Sequence, residues 1–313
     1  LILRKSTYIK KGVLKVEQLF IPKKKLRVIV NTDAKNEADD QFAIVHAILT
    51  PLFELHGIIP AHFGTHKSKT SMKESYDETL LLLKMMDLQD QIRVECGAEE
   101  AMPDEATPVD SPGARLIIEE AMKEDERPLH IAFYGPLTDM ASALLLEPRI
   151  AERNIKVIWI GGGDWPSGGH EYNLSNDIHA ANVIFKSELE LWQIPSTVYR
   201  LMAVSYAEML EKVYPHGELG KYLVEQVYEF NEDYLQEPYE YRSLGDSPAV
   251  GVIMYPDCGK WSWQPAPIFN EAMQYLHTGR YRPIRIYETV DSRFVLEDFF
   301  AKLARFHRRQ SQK

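Results

Sequence analysis

Two periodicities alternate along this chain. Short runs dense in Val, Ile and Leu give way to stretches in which apolar residues recur every three or four positions, the pattern of parallel strand–helix units. The runs predict strands at Arg27–Thr32, Leu55–Ala61, Gln91–Glu95, Leu129–Tyr134, Ile155–Ile160, Ser196–Leu201 and Pro283–Tyr287. Between them the spacing predicts helices at Asp39–Leu49, Ser71–Met86, Gly113–Lys123, Leu137–Leu146 and Ile178–Lys186. In the first helix Phe42, Val45 and Leu49 form one buried stripe, which leaves Asp39 and Asp40 at its start. Beyond about Ala207 the pattern turns helical and rich in tyrosine, with a further apolar helix around Pro248–Met254. The closing "DSRFVLEDFFAKLARFHRR" reads as an amphipathic helix whose basic last turn suits its dipole. The expected architecture is α/β, a doubly wound and mostly parallel sheet with a helical C-terminal section. Residues 27–313 are expected to form one domain behind an N-terminal extension, residues 1–26.

Charge narrows the set of partners. The formal net charge of −10 over 313 residues argues against a nucleic-acid polymer or an anionic membrane surface and favours a small molecule. No apolar run approaches the ~20 residues of a membrane span. The two cysteines, Cys96 and Cys258, show no metal-ligand spacing, and a reducing cytoplasm is the expected location.

The stretch "VIVNTDAKNEADDQF", residues 28–42, places Asp33, Glu37, Asp39 and Asp40 within eight positions at the end of the first strand. Like charges at this density raise the cost of ionising one another. A bound cation would offset that, and hard carboxylate ligands suit Ca²⁺; the alternative is that Asp39 caps the helix while the other acids are solvated. The carboxyl end of a strand in an open parallel sheet is where ligands bind.

Further motifs carry a resemblance. "HIAFYGPLTDMASALLLEPRIAERNIKVIWIGGG" resembles the central segment of the inosine-uridine preferring nucleoside hydrolase family, and "NTDAKNEADD" is similar to that family's Asp-x-Asp-x-x-x-Asp-Asp signature. "EYNLSNDIHAANVIF" is similar to its Glu-Phe-Asn followed by Asp-Pro-x-Ala-Ala, and "GDSPAV" to its C-terminal His-Asp-Pro. Four motifs in order cover roughly residues 27 to 255. The resemblance implies a fold of nucleoside hydrolase type and one Ca²⁺ held by Asp33, Asp40, Asp246 and the backbone carbonyl of Thr138. It also implies ribose contacts from Asp39, Glu171 and Asn173, Asp33 as the base, and a homo-oligomer, dimer or tetramer.

The chain departs from that pattern in places. Two extra residues separate Asp33 from Asp39, and the longer "DxxNExDDQ" form looks like a divergent branch in which Asn36 and Glu37 join the signature and face the substrate. Asn31 replaces the family's first Asp, and Asp139 the Asn after Thr138. Gly245 stands where many members carry a histidine credited with protonating the leaving base, so His170 is a candidate donor. The second strand ends in "PAHFGTH" in place of Gly-Asn, which makes His62, Thr65 or His66 substitutes at the sugar, His66 foremost. Trp165, Tyr172, Tyr228, Tyr234, Trp261 and Trp263 are available to stack on a leaving base. Asp164 reads as a loop acid and Asp177 as a helix N-cap.

The expected function is Ca²⁺-dependent hydrolysis of the N-glycosidic bond of a ribonucleoside or similar ribosyl compound. Such cleavage passes through an oxocarbenium-like state that needs nearby negative charge and an activated water. The rival readings are a sugar- or nucleoside-binding protein that has lost turnover, a glycosidase acting on a non-nucleoside sugar, and phosphoryl transfer, which lacks the Asp-x-Asp pair it would need.

Overall fold

The computed structural model describes residues 22–234 and 238–312. The expected N-terminal extension therefore lies almost wholly outside the described residues, as does the side chain of Tyr234. Eleven strands follow in chain order: β1 (Leu26–Thr32), β2 (Phe53–Pro60), β3 (Leu129–Phe133), β4 (Ile155–Ile160), β5 (Glu190–Ile194), β6 (Ala203–Ser205), β7 (Tyr241–Ser243), β8 (Trp261–Pro265), β9 (Ile268–Phe269), β10 (Tyr275–Leu276) and β11 (Pro283–Tyr287). Seven of them build one sheet in the order β2-β1-β3-β4-β5-β11-β8, parallel except for the antiparallel edge strand β8. The chain winds outward from β1 in both directions, so the order reverses between β1 and β3, the switch point at which a ligand crevice opens.

Each central strand sends alternate residues to opposite faces. Val28 and Val30 of β1, Ala132 of β3 and Ile158 and Ile160 of β4 join one buried cluster with the helices Asp40–Leu49, Ser247–Met254 and Ser292–Gln310. Ile29, Ile131, Phe133, Val157 and Trp159 join the other, under the helices Pro112–Ala121, Thr138–Leu146 and Ile178–Lys186. Both faces are covered, which is why these strands read as near-continuous apolar runs.

At the amino end of β1 the buried charge is paired. Arg27, 3% exposed, donates to the Glu120 carbonyl at 2.6 Å and to its carboxylate at 3.1 Å. His56 approaches the same carboxylate at 3.0 Å, and Asp125 and Arg127 extend the network to Glu54.

Two expected strands are corrected. Gln91–Glu95 touches the sheet at a single bridge, Val94 to Ile58, because Arg93 turns to water and pairs with Glu95 and Glu119. Ser196–Leu201 is instead the short helix Ser196–Tyr199, and the strand lies earlier, at β5, ended by Pro195. Gln193 interrupts the apolar run there, yet its buried amide nitrogen donates to the Gly161 carbonyl at 3.0 Å and the Tyr275 hydroxyl at 2.8 Å, while its Oε1 has no partner among the described residues. Among the described residues, no helix is long and apolar enough to cross a membrane.

Candidate active site

The acidic stretch leaves β1 at the switch point. Thr32 and Asp33 are buried, the Asn36 amide N–H closes a turn on the Asp33 carbonyl at 2.8 Å, and the helix Asp40–Leu49 begins four residues later. From the far end of the chain Asp246 occupies the N-cap of Ser247–Met254. Two helix N-termini thus point at one spot, and each carries a carboxylate there. Oxygen atoms of Asp39, Asp40 and Asp246 all lie within 4.8 Å of one another. Asp33 stands beside this triplet against Gly135, where a Cβ would sit 2.8 Å from its Cγ; the glycine that follows β3 makes room for the carboxylate.

The electrostatics follow from that crowding. Burial, then Asp40, Asp39 and Glu37, hold the Asp33 carboxyl well above the usual range. Asp246 is raised by burial and then by Asp40, Asp39 and Asp33, Asp39 is pushed up to about 7 by burial and Glu37, and Asp40 to about 6 by burial, with the Thr32 hydroxyl it accepts opposing. An all-oxygen donor set carrying this much uncompensated charge fits a hard divalent cation.

The other expected residues take varied positions. Asn36 donates to Asp33 Oδ2 at 3.2 Å, and Lys67 in turn donates to the Asn36 carbonyl at 2.5 Å and Oδ1 at 2.7 Å. Glu37 faces the crevice but pairs with Arg242, whose guanidinium stacks 4.6 Å over Phe230. Asp39 Oδ2 accepts the Gly245 amide N–H at 2.8 Å.

Glu171 accepts from Gly162, Leu174 and Asn173 amides and from the Tyr199 hydroxyl, so it caps the helix Tyr172–Asn176 with both oxygens engaged. Gly162 can approach so closely because it has a positive φ of 86° and no side chain to strike Tyr275. Asn173 spends its amide nitrogen on the carbonyls of Tyr134, at 2.5 Å, and Ile160, at 2.9 Å, which leaves Oδ1 to face the cavity.

Two expected residues stand apart. Thr138 does not line the cavity: it starts its helix, and its hydroxyl accepts from His62 at 2.9 Å and donates to Asp177 at 2.8 Å. His66 is exposed beside Tyr172, 6.4 Å ring to ring, also outside the lining. Asn31 turns from the site altogether and donates to Asp139 at 2.8 Å.

Tyr134 and Tyr199 are lining residues that the sequence reading missed. Tyr134 ends the run before Gly135-Pro136, a strand terminus beside a turn, which was the available signal. Its hydroxyl is buried without a hydrogen-bond partner among the described residues, and burial with Asp246 and Asp40 holds its pKa far up.

Two adjoining cavities result. The inner one, about 50 Å³, is lined by the acids with Tyr134, Ile160 and Asn173; the outer, about 320 Å³, opens toward Tyr239, Tyr241 and Arg242. They share Glu37, Asp39, Glu171, Tyr172, Tyr199 and Gly245.

Comparison with known proteins bears on this arrangement. A family model described as inosine-uridine preferring nucleoside hydrolase matches residues 28–294. A pyrimidine-specific ribonucleoside hydrolase RihA of Salmonella schwarzengrund (strain CVM19633) is 24% identical over 181 residues, which are 52% of this chain and 57% of that protein; the match thus spans little more than half the relative's length. Among solved structures, a purine-preferring ribonucleoside hydrolase from Gardnerella vaginalis superposes with a TM-score of 0.75 at 19% identity, covering 90% of this chain and 99% of that one. The plant nucleoside hydrolase PpNRh1 gives 0.73 at 17%, covering 89% and 99%. At such identities the likeness of structures speaks for the fold.

Proposed function

This chain belongs to the inosine-uridine preferring nucleoside hydrolase family, and from that premise we propose that it hydrolyses the N-glycosidic bond of a ribonucleoside or similar ribosyl compound with the help of Ca²⁺. The observation that carries the reading is the convergence of Asp39, Asp40 and Asp246 beside Asp33 at the switch point of the sheet.

The assignment of parts follows the geometry. Asp39, Asp40 and Asp246 would hold the cation, and Asp33, outside that triplet, is free to accept a proton from the attacking water. A bound Ca²⁺ would orient that water and offset the repulsion among the carboxylates. The Thr138 backbone carbonyl is kept as the expected further donor to the cation, its hydroxyl being engaged with His62 and Asp177. Asn173 Oδ1 and the second oxygen of Asp39 offer acceptors to ribose hydroxyls, while Asn36 orients Asp33. Glu171 fixes the wall by capping, and Glu37 acts through Arg242. The negative field of the floor stabilises the oxocarbenium character that develops at the anomeric carbon. The leaving base occupies the outer cavity, among Tyr172, Tyr199, Tyr239 and Tyr241.

We take residues 27–313 as one catalytic domain acting in the cytoplasm as a homo-oligomer. Both cysteines are free, which agrees with a reducing compartment. The test is direct: purified protein is incubated with a panel of purine and pyrimidine ribonucleosides and Ca²⁺, and reducing sugar is measured. Release of ribose from at least one member is expected, and none from any member refutes the proposal.

A further inference from the structure

The two cavities differ in charge. Beyond the residues it shares with the inner cavity, the outer one is walled, among the described residues, by two arginines, a histidine, two tyrosines, an asparagine and a serine, with no carboxylate. The acids at the shared boundary are already engaged: Glu37 pairs with Arg242, Asp39 accepts the Gly245 amide, and Glu171 accepts four donors. Arg242 is buried and committed to Glu37, with a long 3.4 Å contact to Asn231, and its Nε has no acceptor among the described residues.

Arg200 is different. It is exposed, it follows the short helix Ser196–Tyr199, and among the described residues its guanidinium meets no carboxylate and no hydrogen-bond acceptor. A helix of four residues has little dipole to account for a cation there. A positive charge with no counter-charge among the described residues therefore stands at the mouth of a crevice whose floor is strongly negative.

We propose that the substrate is a ribonucleoside carrying an anionic group outside its ribose ring, a carboxylate or phosphate, which Arg200 receives at the mouth of the outer cavity. The inference rests on the hydrolase reading for where the ribose sits. The planar guanidinium suits either anion with paired N–H donors. The field along the crevice then orients the substrate, since the acidic floor repels the anion and accepts only the uncharged polyol, and the basic mouth holds the anion outward. The outer volume of about 320 Å³ leaves room for a base with such a group attached.

Isothermal titration of the Ca²⁺-supplemented protein at low salt with uridine, 5-carboxyuridine and uridine 5′-monophosphate tests this. At least one anionic ligand is expected to bind roughly five- to tenfold more tightly than uridine, the range of a charge-assisted contact at a partly exposed site. Which of the two gains tells whether the anion sits on the base or on the 5′-carbon. In Arg200→Gln that ratio collapses toward one, in Arg200→Lys much of it survives, and added salt shrinks it. Anionic ligands that bind no more tightly than uridine, or a preference unchanged in Arg200→Gln, overturn the proposal. Ribose release is measured on the same samples: release from uridine without any anion preference overturns the anion site alone. An Arg200-dependent preference without release from any ligand overturns the hydrolase reading and leaves the anion site standing.

Discussion

Strand β1 carries buried charge at both ends, and the two ends treat it in opposite ways. At the amino end Arg27 meets Glu120 and Asp125, with His56 and Arg127 completing the pairing, so every buried charge has a partner of opposite sign. At the carboxyl end Asp33, Asp40 and Asp246 are just as deeply buried and have mainly one another. A paired network costs desolvation and returns most of it in Coulombic attraction; a like-charged cluster returns nothing until a cation arrives. The first arrangement holds a fold together, and the second stores the potential for binding.

That contrast can be broken from either side. The largest effect is expected from neutralising the carboxyl end: Asp40→Asn or Asp246→Asn should lower kcat/KM for a cleaved nucleoside by about 10³-fold or more, through loss of both cation and field, with an unchanged circular dichroism spectrum. At the amino end Glu120→Gln removes the carboxylate that meets both Arg27 and His56 and leaves buried Arg27 only the 3.7 Å contact to Asp125. Urea unfolding should show a loss of about 3–5 kcal/mol, while kcat per folded molecule stays as it was. If Glu120→Gln instead abolished activity and left stability intact, the two ends would not differ in the way described.

Addition of Ca²⁺ sharpens the comparison. At a hundredfold excess over its Kd it should stabilise the wild-type protein by about 2.7 kcal/mol. The rise in thermal midpoint should vanish in Asp246→Asn and persist in Glu120→Gln.

The smallest effect is expected at His46, on the helix that runs back from the acidic end. Burial pushes His46 down to about 4 from an ordinary 6.5, with the Asp298 carboxylate, 2.7 Å away, opposing and Lys302 adding. The unfolded chain thus binds a proton between pH 6.5 and 4 that the folded one refuses. Stability from this residue is complete above pH 6.5 and falls as the pH drops through that window. Denaturant midpoints measured across the window should be flatter in His46→Gln than in the wild type.

Much of the fold was legible because both sheet faces are buried. β1, β3, β4 and β11 stand out as apolar runs, and their helices as stripes. β5 was not legible, since the polar Gln193 sits inside it and only tertiary partners, Gly161 and Tyr275, make it acceptable. At the candidate site the acids were conspicuous by crowding alone. Their division of labour was not, because it depends on which donors each carboxylate meets: Glu171 looks like a sugar ligand in the sequence, yet its oxygens face three amide N–H groups and the Tyr199 hydroxyl. Tyr199 and Arg200 lie within the segment Ser196–Leu201 read as a strand, so the helix that brings both to the outer cavity, and with it that cavity's wall, could not be anticipated.

The bond from the Gly245 amide to Asp39 joins positions 206 residues apart in the chain. Until that contact closes, the first strand–helix unit, with Asp33, Asp39 and Asp40, and the C-terminal helical section, with Asp246, are separate pieces. Assembly of the site is therefore a late event in folding, since closing so long a loop must wait for the sheet between to form. On the proposed hydrolase reading, a chain that has completed only its central strands would be inert, and ribose release would report finished folding as much as chemistry.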